Sequence, residues 1–304
     1  MIIDSHCHLN YSNDEIPLEK IISNARDSNV SLILNIATKP NEFDNIINTS
    51  SLYDEVYFTL GVHPHEASDL DDDIIKVIYT NANNKKFIGI GETGLDYYYN
   101  NSEKSTQIVS FEKQIELSQN LSIPLVIHMR SAEDDTLKII RKKIKEKKFN
   151  GVIHCFTGTK KFADEIIDLG FYISASGVIT FKKSFDLRDI FSSIPDDKIL
   201  AETDSPYLSP EPLRGKVNQP SHIIHTIKKL AEIRNTNYDK IVELKNSNLI
   251  SIFKRKVFDS RKPSSDFDLN LDFKDRFRGP FTPAAVLILI SEIDKTLCVT
   301  LTKR

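Results

Sequence analysis

Eight short runs of apolar and β-branched residues, each followed by a longer stretch with helical spacing, fill the chain from residue 2 to residue 204. They are Ile2 to Leu9, Ser31 to Ala37, Val56 to His63, Phe87 to Asp96, Pro124 to Arg130, Gly151 to Phe156, Tyr172 to Gly177 and Ile199 to Asp204. Such alternation is the pattern of βα units, whose crossover helices make neighbouring strands parallel. Ser105 to Leu121 shows the helical period: Ile108, Phe111, Ile115 and Leu117 can line one face. Ser221 to Ile233 and Tyr238 to Phe253 read as two further helices after the eighth run. Eight alternations favour an α/β fold of the TIM (β/α)8 barrel type over an open doubly wound sheet. One such barrel takes roughly 250 residues, so a chain of 304 has room for a barrel and a short appendage.

Polar residues sit where a barrel would gather them. Most runs begin apolar and acquire His, Glu or Asp near their ends, and in a parallel barrel all those ends meet at one mouth. His6 and His8, in Asp4-Ser5-His6-Cys7-His8, are two apart on a strand and project to the same side, a spacing suited to metal ligation. Glu92, in Gly91-Glu92-Thr93-Gly94, is flanked by glycines that let the chain bend, and its carboxylate could bridge two cations. His128 and His154 each follow apolar β residues, and Asp204 stands before Ser205-Pro206, where proline stops the strand. Singly, each has an ordinary reading as a core histidine or a turn carboxylate. Jointly, five of eight strand ends carrying such groups point to a metal site formed by His6, His8, Glu92, His128, His154 and Asp204.

His63 and His65 end the third run and read either as supporting or substrate-phosphate contacts or as a solvated turn. His222 and His225 read as ordinary helix residues. Cys7 and Cys155 adjoin ligand candidates, so strand alternation should turn them toward the helix layer as small buried hydrophobes. With Cys298 they make three cysteines without a disulfide or zinc-knuckle spacing, which suggests a reducing compartment. The N-terminus lacks a signal-type apolar core and no run is long enough to span a bilayer, so a cytoplasmic protein without membrane attachment is expected. A net charge of −3 excludes a global positive field for holding nucleic acid, so any phosphodiester substrate must be attracted by local cations.

Six motifs occur in one order: Ser5-His6-Cys7-His8, Gly61-Val62-His63-Pro64-His65, Gly91-Glu92-Thr93-Gly94-Leu95-Asp96-Tyr97-Tyr98, His128-Met129-Arg130, His154-Cys155-Phe156-Thr157-Gly158 and Glu202-Thr203-Asp204-Ser205-Pro206-Tyr207. In these the chain resembles the TatD-type metal-dependent deoxyribonucleases over residues 1 to about 256. The resemblance implies a TIM-barrel phosphodiesterase using two divalent ions, one held by His6, His8, Glu92 and Asp204, the other by Glu92, His128 and His154. It also implies 3′ to 5′ exonuclease or repair-type cleavage of DNA, with RNA or a small phosphodiester as alternative substrates. In phosphoryl hydrolysis Asp204 is the candidate general base, and Glu92 shares the catalytic centre. Arg130 and Arg214, the latter in Arg214-Gly215-Lys216, could contact nonbridging oxygens, with Lys182 and Lys183 as weaker candidates; a solvated surface is the competing reading. His and carboxylate ligands would suit Mg, Mn, Zn or Co alike.

Two other readings compete. An amidohydrolase cleaving C–N bonds would share the barrel and the H-x-H start, but such enzymes often place a carboxylated lysine at the fourth strand, where this chain has Glu92. A non-catalytic nucleic-acid- or metal-binding barrel is the second. The chain divides, on this reading, into a hydrolase barrel over 1–256 and an appendage over 257–304. In the appendage, Arg261 to Ser265 reads as a linker, and Pro283 to Ile290 and Thr296 to Thr302 as a β-hairpin turning at Ser291 to Lys295. This piece is similar to the opening of a Nudix hydrolase but lacks the glutamate-rich box that would bind its metal.

Overall fold

The structure, a computed structural model, describes residues 2–11 and 16–253, and the backbone of 288–293 and 296–301. Eight strands pair in parallel and in sequence order: β1 (Ile2–Cys7), β2 (Val30–Ile36), β3 (Val56–Leu60), β4 (Phe87–Asp96), β5 (Leu125–Arg130), β6 (Gly151–Ile153), β7 (Tyr172–Ala175) and β8 (Ile199–Ala201). Helices α1 (Leu18–Asp27), α2 (Phe43–Leu52), α3 (Asp72–Thr80), α4 (Lys104–Leu121), α5 (Glu133–Glu146), α6 (Lys160–Asp168) and α7 (Phe185–Ser193) follow the first seven strands in turn. Two helices, α8 (Ile223–Ile233) and α9 (Tyr238–Ile252), follow the eighth.

The ring closes just beyond the last strand. Cys7 bridges Ser205 in parallel, the Asp204 N–H donates to the His6 carbonyl at 2.9 Å, and the His8 N–H donates to the Ser205 carbonyl at 2.8 Å. Asp4 fastens the same seam lower down, accepting from the Thr203 N–H at 2.9 Å and the Thr203 hydroxyl at 2.6 Å. The bonds that shut the barrel therefore set His6, His8 and Asp204 side by side.

Two apolar cores hold this frame. An outer one lies between strands and helices, with Phe58, Phe87, Phe111 and Phe162 fully buried. An inner one fills the barrel with side chains from successive strands, among them Ile3, Leu34, Ile88, Val126, Val152, Tyr172 and Leu200. The inner core is completed from below by Leu249, Ile252 and Phe253, at and just beyond the end of α9. Helix α9 starts cleanly because the Asn237 side chain accepts the Lys240 N–H at 2.8 Å. Each fully buried Leu, Ile or Phe stabilises the fold by about 1.5–3 kcal/mol, so this plug is a substantial part of what keeps the barrel shut.

Several details differ from the sequence expectation. Strands β3, β6 and β8 stop before His63, His154 and Asp204; past β6 and β8 the chain leaves β geometry, with Cys155 (φ 43°) and Asp204 (φ 55°) in the left-handed region. Cys7 is buried in the outer core as expected, but Cys155 lies past the end of β6, with Sγ 3.3 Å from the Ser176 hydroxyl, so strand alternation does not govern it. On α4, Phe111, Ile115 and Leu117 are buried while Ile108 is only partly so, and Gln107 and Gln114 share the inner face. Their amides satisfy mouth loops: Gln107 bonds both backbone groups of Asp96, and Gln114 both of Val62. The stretch from Pro220 to His222 forms a 3-10 turn, so α8 begins two residues later than Ser221.

The chain divides into two compact units, Met1–Phe258 and Asp259–Arg304. In the second, β9 (Ile288–Ile293) pairs antiparallel with β10 (Thr296–Leu301), Ile293 opposite Thr296 and Ile288 opposite Leu301. The first strand of this hairpin extends past the expected end at Ile290, and Ser291 to Ile293 are paired strand rather than turn. An unbroken apolar run carries no alternation from which to read where pairing stops. The expected linker at Arg261 to Ser265, residues 283–287 and Thr302 lie outside the described residues. Among the described residues no helix is long and apolar enough to cross a membrane.

Candidate metal centre

Strand β4 supplies the pivot. Gly91 (φ 141°) and Gly94 (φ 136°) adopt backbone that side chains disfavour, and each lies against β5: a Cβ on Gly91 would come within 2.5 Å of the Val126 carbonyl oxygen, one on Gly94 within 2.0 Å of that of His128. Only glycine lets β4 press this close, and the reward is register. Thr93 pairs with Ile127, Gly94 with His128 and Asp96 with Arg130, which sets Glu92 beside the His128 ring. Glu92 is 3 % exposed, and its two oxygens face different histidines. Oε1 lies 2.7 Å from His154 Nε2, 3.0 Å from His128 Nδ1 and 3.4 Å from His63 Nε2. Oε2 lies 3.5 Å from His6 Nε2 and 3.7 Å from His8 Nε2. Asp204 Oδ1 meets the same pair at 3.6 and 3.5 Å. The structure therefore brings together all six residues expected at a metal site.

Hydrogen-bond partners fix which ring nitrogens can bind an ion. His8 Nδ1 is 3.0 Å from the Ile36 carbonyl, which can only accept, so the neutral ring has its hydrogen there and a bare lone pair on Nε2. That lone pair faces His6 Nε2 at 3.3 Å and two carboxylate oxygens. Acceptors converging without enough hydrogens to separate them are the donor set of a cation, and the residues fit one. His128 follows the same logic with its nitrogens exchanged: Nε2–H donates to Asp96 Oδ2 at 3.0 Å, leaving Nδ1 free toward Glu92 and, at 3.3 Å, His154 Nε2. Among the described residues, ligand atoms of His6, His8 and Glu92, of His63, Glu92 and His128, and of His6, His154 and Glu202 each lie within 4.8 Å of one another.

His63 differs from these ligand candidates. The His65 backbone N–H donates to His63 Nδ1 at 3.1 Å, so the neutral ring carries its hydrogen on Nε2. Burial holds His63 neutral, with a pKa lowered to about 4. His63 thus points an N–H donor into the centre. His65 spends its Nε2 on Asp96 Oδ2 at 3.0 Å and supports from the side. Arg130 is exposed at the end of β5, whereas Arg214 is exposed on the loop after β8, stacked over Phe181 at 3.8 Å, with no hydrogen bond or ion pair to the histidine cluster. Lys182 and Lys183 are exposed after β7. His222 bonds Asn218 and Gln219 away from the centre.

Charge within the centre follows from proximity. Burial opposes ionisation of Glu92, but the imidazoles of His154, His63 and His128 outweigh it and hold the carboxyl well below the usual carboxylate range. Asp204 is likewise held low against burial by His8, His6 and His154. Asp4, buried at the seam without a cation, is pushed up to about 8. Both thiols near the centre are pushed up by burial, which leaves Cys7 and Cys155 poor nucleophiles.

Two carboxylates escaped the sequence reading. Asp96, fully buried, holds His128 and His65 through Oδ2 while Oδ1 accepts the Tyr98 and Tyr99 N–H groups. Glu202, 1 % exposed, accepts the Cys155 N–H at 2.6 Å and stands 3.5 Å from His154 Nδ1. The only available signals were their places in the quoted motifs, Asp96 four residues after Glu92 and Glu202 two before Asp204.

A parallel barrel whose mouth gathers bare imidazole nitrogens around two carboxylates belongs to the class of metal-dependent hydrolases. The family model described as TatD related DNase matches residues 3–254. An uncharacterized metal-dependent hydrolase of Buchnera aphidicola is 37 % identical over 265 residues, spanning 83 % of this chain and 98 % of that protein. The 3′-5′ ssDNA/RNA exonuclease TatD of Klebsiella pneumoniae is 30 % identical over 240 residues, 77 % of this chain and 91 % of its own length. The crystal structure of YjjV, a TatD homologue of Escherichia coli, superposes with a TM-score of 0.77 at 24 % identity over 84 % of this chain and 98 % of that one, a likeness of fold. The chain belongs to the TatD family and is a metal-dependent hydrolase.

Proposed function

We propose that the protein is a nuclease that hydrolyses phosphodiester bonds of single-stranded DNA, with RNA as a second substrate, acting from the 3′ end with two divalent ions. The observation that carries this reading is Glu92, whose two oxygens address two separate sets of imidazoles, as a bridging ligand between two cations requires. His6, His8, Glu92 and Asp204 would hold one ion, and Glu92, His128 and His154 the other; Mg, Mn, Zn and Co all suit such donors. Bound there, divalent ions supply positive charge that polarises a phosphoryl group and stabilises a departing alkoxide. The Klebsiella relative, a 3′-5′ ssDNA/RNA exonuclease by name, supports the same substrate class.

The chain's own groups divide the remaining work. Asp204 remains ionised at neutral pH and is the proton acceptor for the attacking water. His63 Nε2–H donates to a nonbridging phosphate oxygen, and Asp96 holds His128 in the tautomer that leaves Nδ1 bare. His65 steadies that carboxylate from its other side. Arg130 draws the polyanion to the mouth, and Arg214 meets the strand farther out. Free Cys7 and Cys155 accord with a reducing cytoplasmic setting. We assign the hydrolase to residues 1–256 and treat 257–304 as an appendage to which no second activity is assigned.

The test is incubation of ion-loaded wild type and Asp204→Asn with 3′- and 5′-labelled single-stranded DNA, RNA and a small phosphodiester, with a chelator control. Stepwise shortening from the 3′ end by wild type, lost in the variant, is expected. Equal cleavage by both proteins removes Asp204 from the mechanism, and absence of phosphodiester cleavage with any ion overturns the nuclease reading.

A further inference from the structure

Beside the centre, β4 runs into a turn that carries two tyrosines outward. Tyr98 is 62 % and Tyr99 55 % exposed, a costly placement for large rings unless something covers them. The rings stand perpendicular, centroids 4.9 Å apart, and the Arg130 guanidinium lies in the angle between them, 4.3 Å from one centroid and 4.7 Å from the other. Among the described residues no carboxylate pairs with Arg130, so its charge is available to a ligand. The turn is also rigid. Asp96 Oδ1 accepts both tyrosine N–H groups, at 3.0 and 2.9 Å, while Oδ2 of the same carboxylate holds His128 and His65. The Tyr99 ring meets the His65 ring edge to face at 5.5 Å, which places the shelf directly against the histidine cluster.

From this juxtaposition we infer that Tyr98, Tyr99 and Arg130 form a nucleobase-stacking subsite, in which the bases next to the scissile phosphate lie on the tyrosine rings and Arg130 neutralises the adjoining phosphate. The inference rests on the nuclease reading and adds a specificity-determining element to it. Aromatic rings beside an unpaired cation are the combination that binds single strands irrespective of sequence, because every base offers a π face. Bases within a duplex are already stacked on their neighbours, so the shelf selects for unpaired ends. Held by one carboxylate, it costs little ordering on binding.

The experiment compares single-stranded oligonucleotides carrying normal nucleotides or abasic residues at the last three 3′ positions. Wild type, Tyr98→Ala/Tyr99→Ala and Tyr98→Phe/Tyr99→Phe are assayed with the full chain and the same ion. The alanine pair should raise KM on the normal strand by about tenfold or more, the effect falling on KM rather than kcat, since base stacking on one aromatic ring is worth a fewfold to a hundredfold in affinity. On the abasic strand the alanine pair and wild type should converge, and the phenylalanine pair should recover most of the lost affinity. Equal losses on both strands, or a loss in kcat accompanied by weaker ion binding, would show that the tyrosines merely support the centre and would overturn the inference. No change in KM would overturn it as well. Failure of wild type to cleave either strand removes the nuclease reading itself, and the subsite falls with it.

Discussion

The floor and the mouth of the barrel are buried to the same degree by opposite means. At the floor, Leu249, Ile252 and Phe253 meet Ile3, Leu34 and Leu200, and burial itself is the favourable term. At the mouth His6 is 0 %, Glu92 3 % and His154 5 % exposed, yet each is a polar group whose desolvation opposes folding. Among the described residues, His6 Nδ1, His154 Nδ1 and Glu202 Oε2 are buried without a hydrogen-bond partner. The apolar end thus offsets the desolvation cost of the polar one, so that the groups that stabilise the barrel and those that could hold an ion lie at opposite ends of the same eight strands.

The largest effect should come from the mouth. Glu92→Gln removes the shared carboxylate charge, and turnover should fall by about three orders of magnitude or more, with divalent-ion binding lost in parallel. Activity within tenfold of wild type in protein that circular dichroism shows to be folded would break the assignment of chemistry to this residue. The floor should respond in the other currency. Phe253→Ala leaves a cavity under the barrel and should cost about 3–5 kcal/mol in urea unfolding, while the folded fraction retains its kcat. A fall in kcat without loss of stability would show that the two ends are coupled.

Sequence and structure agree where chemistry is local and part where it is tertiary. The barrel and its six ligand candidates were readable because β-period runs end in His, Glu or Asp, and the strands carry those ends to one place. Asp96 and Glu202 were not, since each acts by fixing or facing imidazoles from other strands, a relation no linear spacing encodes. Gln107 and Gln114 spoil the apolar period of α4 because they bond the mouth loops, so the helix is buried on a face that looks polar. The early ends of β6 and β8 were hidden for a different reason. Cys155 and Asp204 take left-handed backbone without the glycine that usually announces it. The double glycine of β4 did announce its bend.

A smaller effect sharpens the picture of the mouth. Asp96→Asn keeps shape but removes the charge that holds the Nε2 hydrogens of His128 and His65, so His128 can present the wrong nitrogen to an ion. Ion affinity or turnover should drop by about 10- to 100-fold, as measured by calorimetric titration and steady-state assay. Values within twofold of wild type would mean that packing alone orients His128.

The smallest predicted effect lies on the buried face of α9 and tests whether this end is as purely structural as its apolar plug suggests. Lys143, on α5, is also buried but pairs with Glu116 at 2.7 Å, whereas Lys245 is 6 % exposed and its ammonium has no hydrogen-bond partner among the described residues. Burial, aided by repulsion from Arg234 and opposed by Glu202, pulls its pKa well below the ordinary 10.5. The unfolded chain therefore binds more protons than the folded one between the lowered value and 10.5, so this lysine opposes folding at neutral pH and its penalty fades as pH rises through that window. Lys245→Met should stabilise the protein by about 1–2 kcal/mol at pH 7, near the cost of an unsatisfied buried polar group. In urea unfolding from pH 7 to 10.5 the advantage of the variant should shrink toward the upper limit. A gap that stays constant would mean that Lys245 finds water or a partner when charged, and a variant less stable than wild type would mean that the ammonium contributes to the fold.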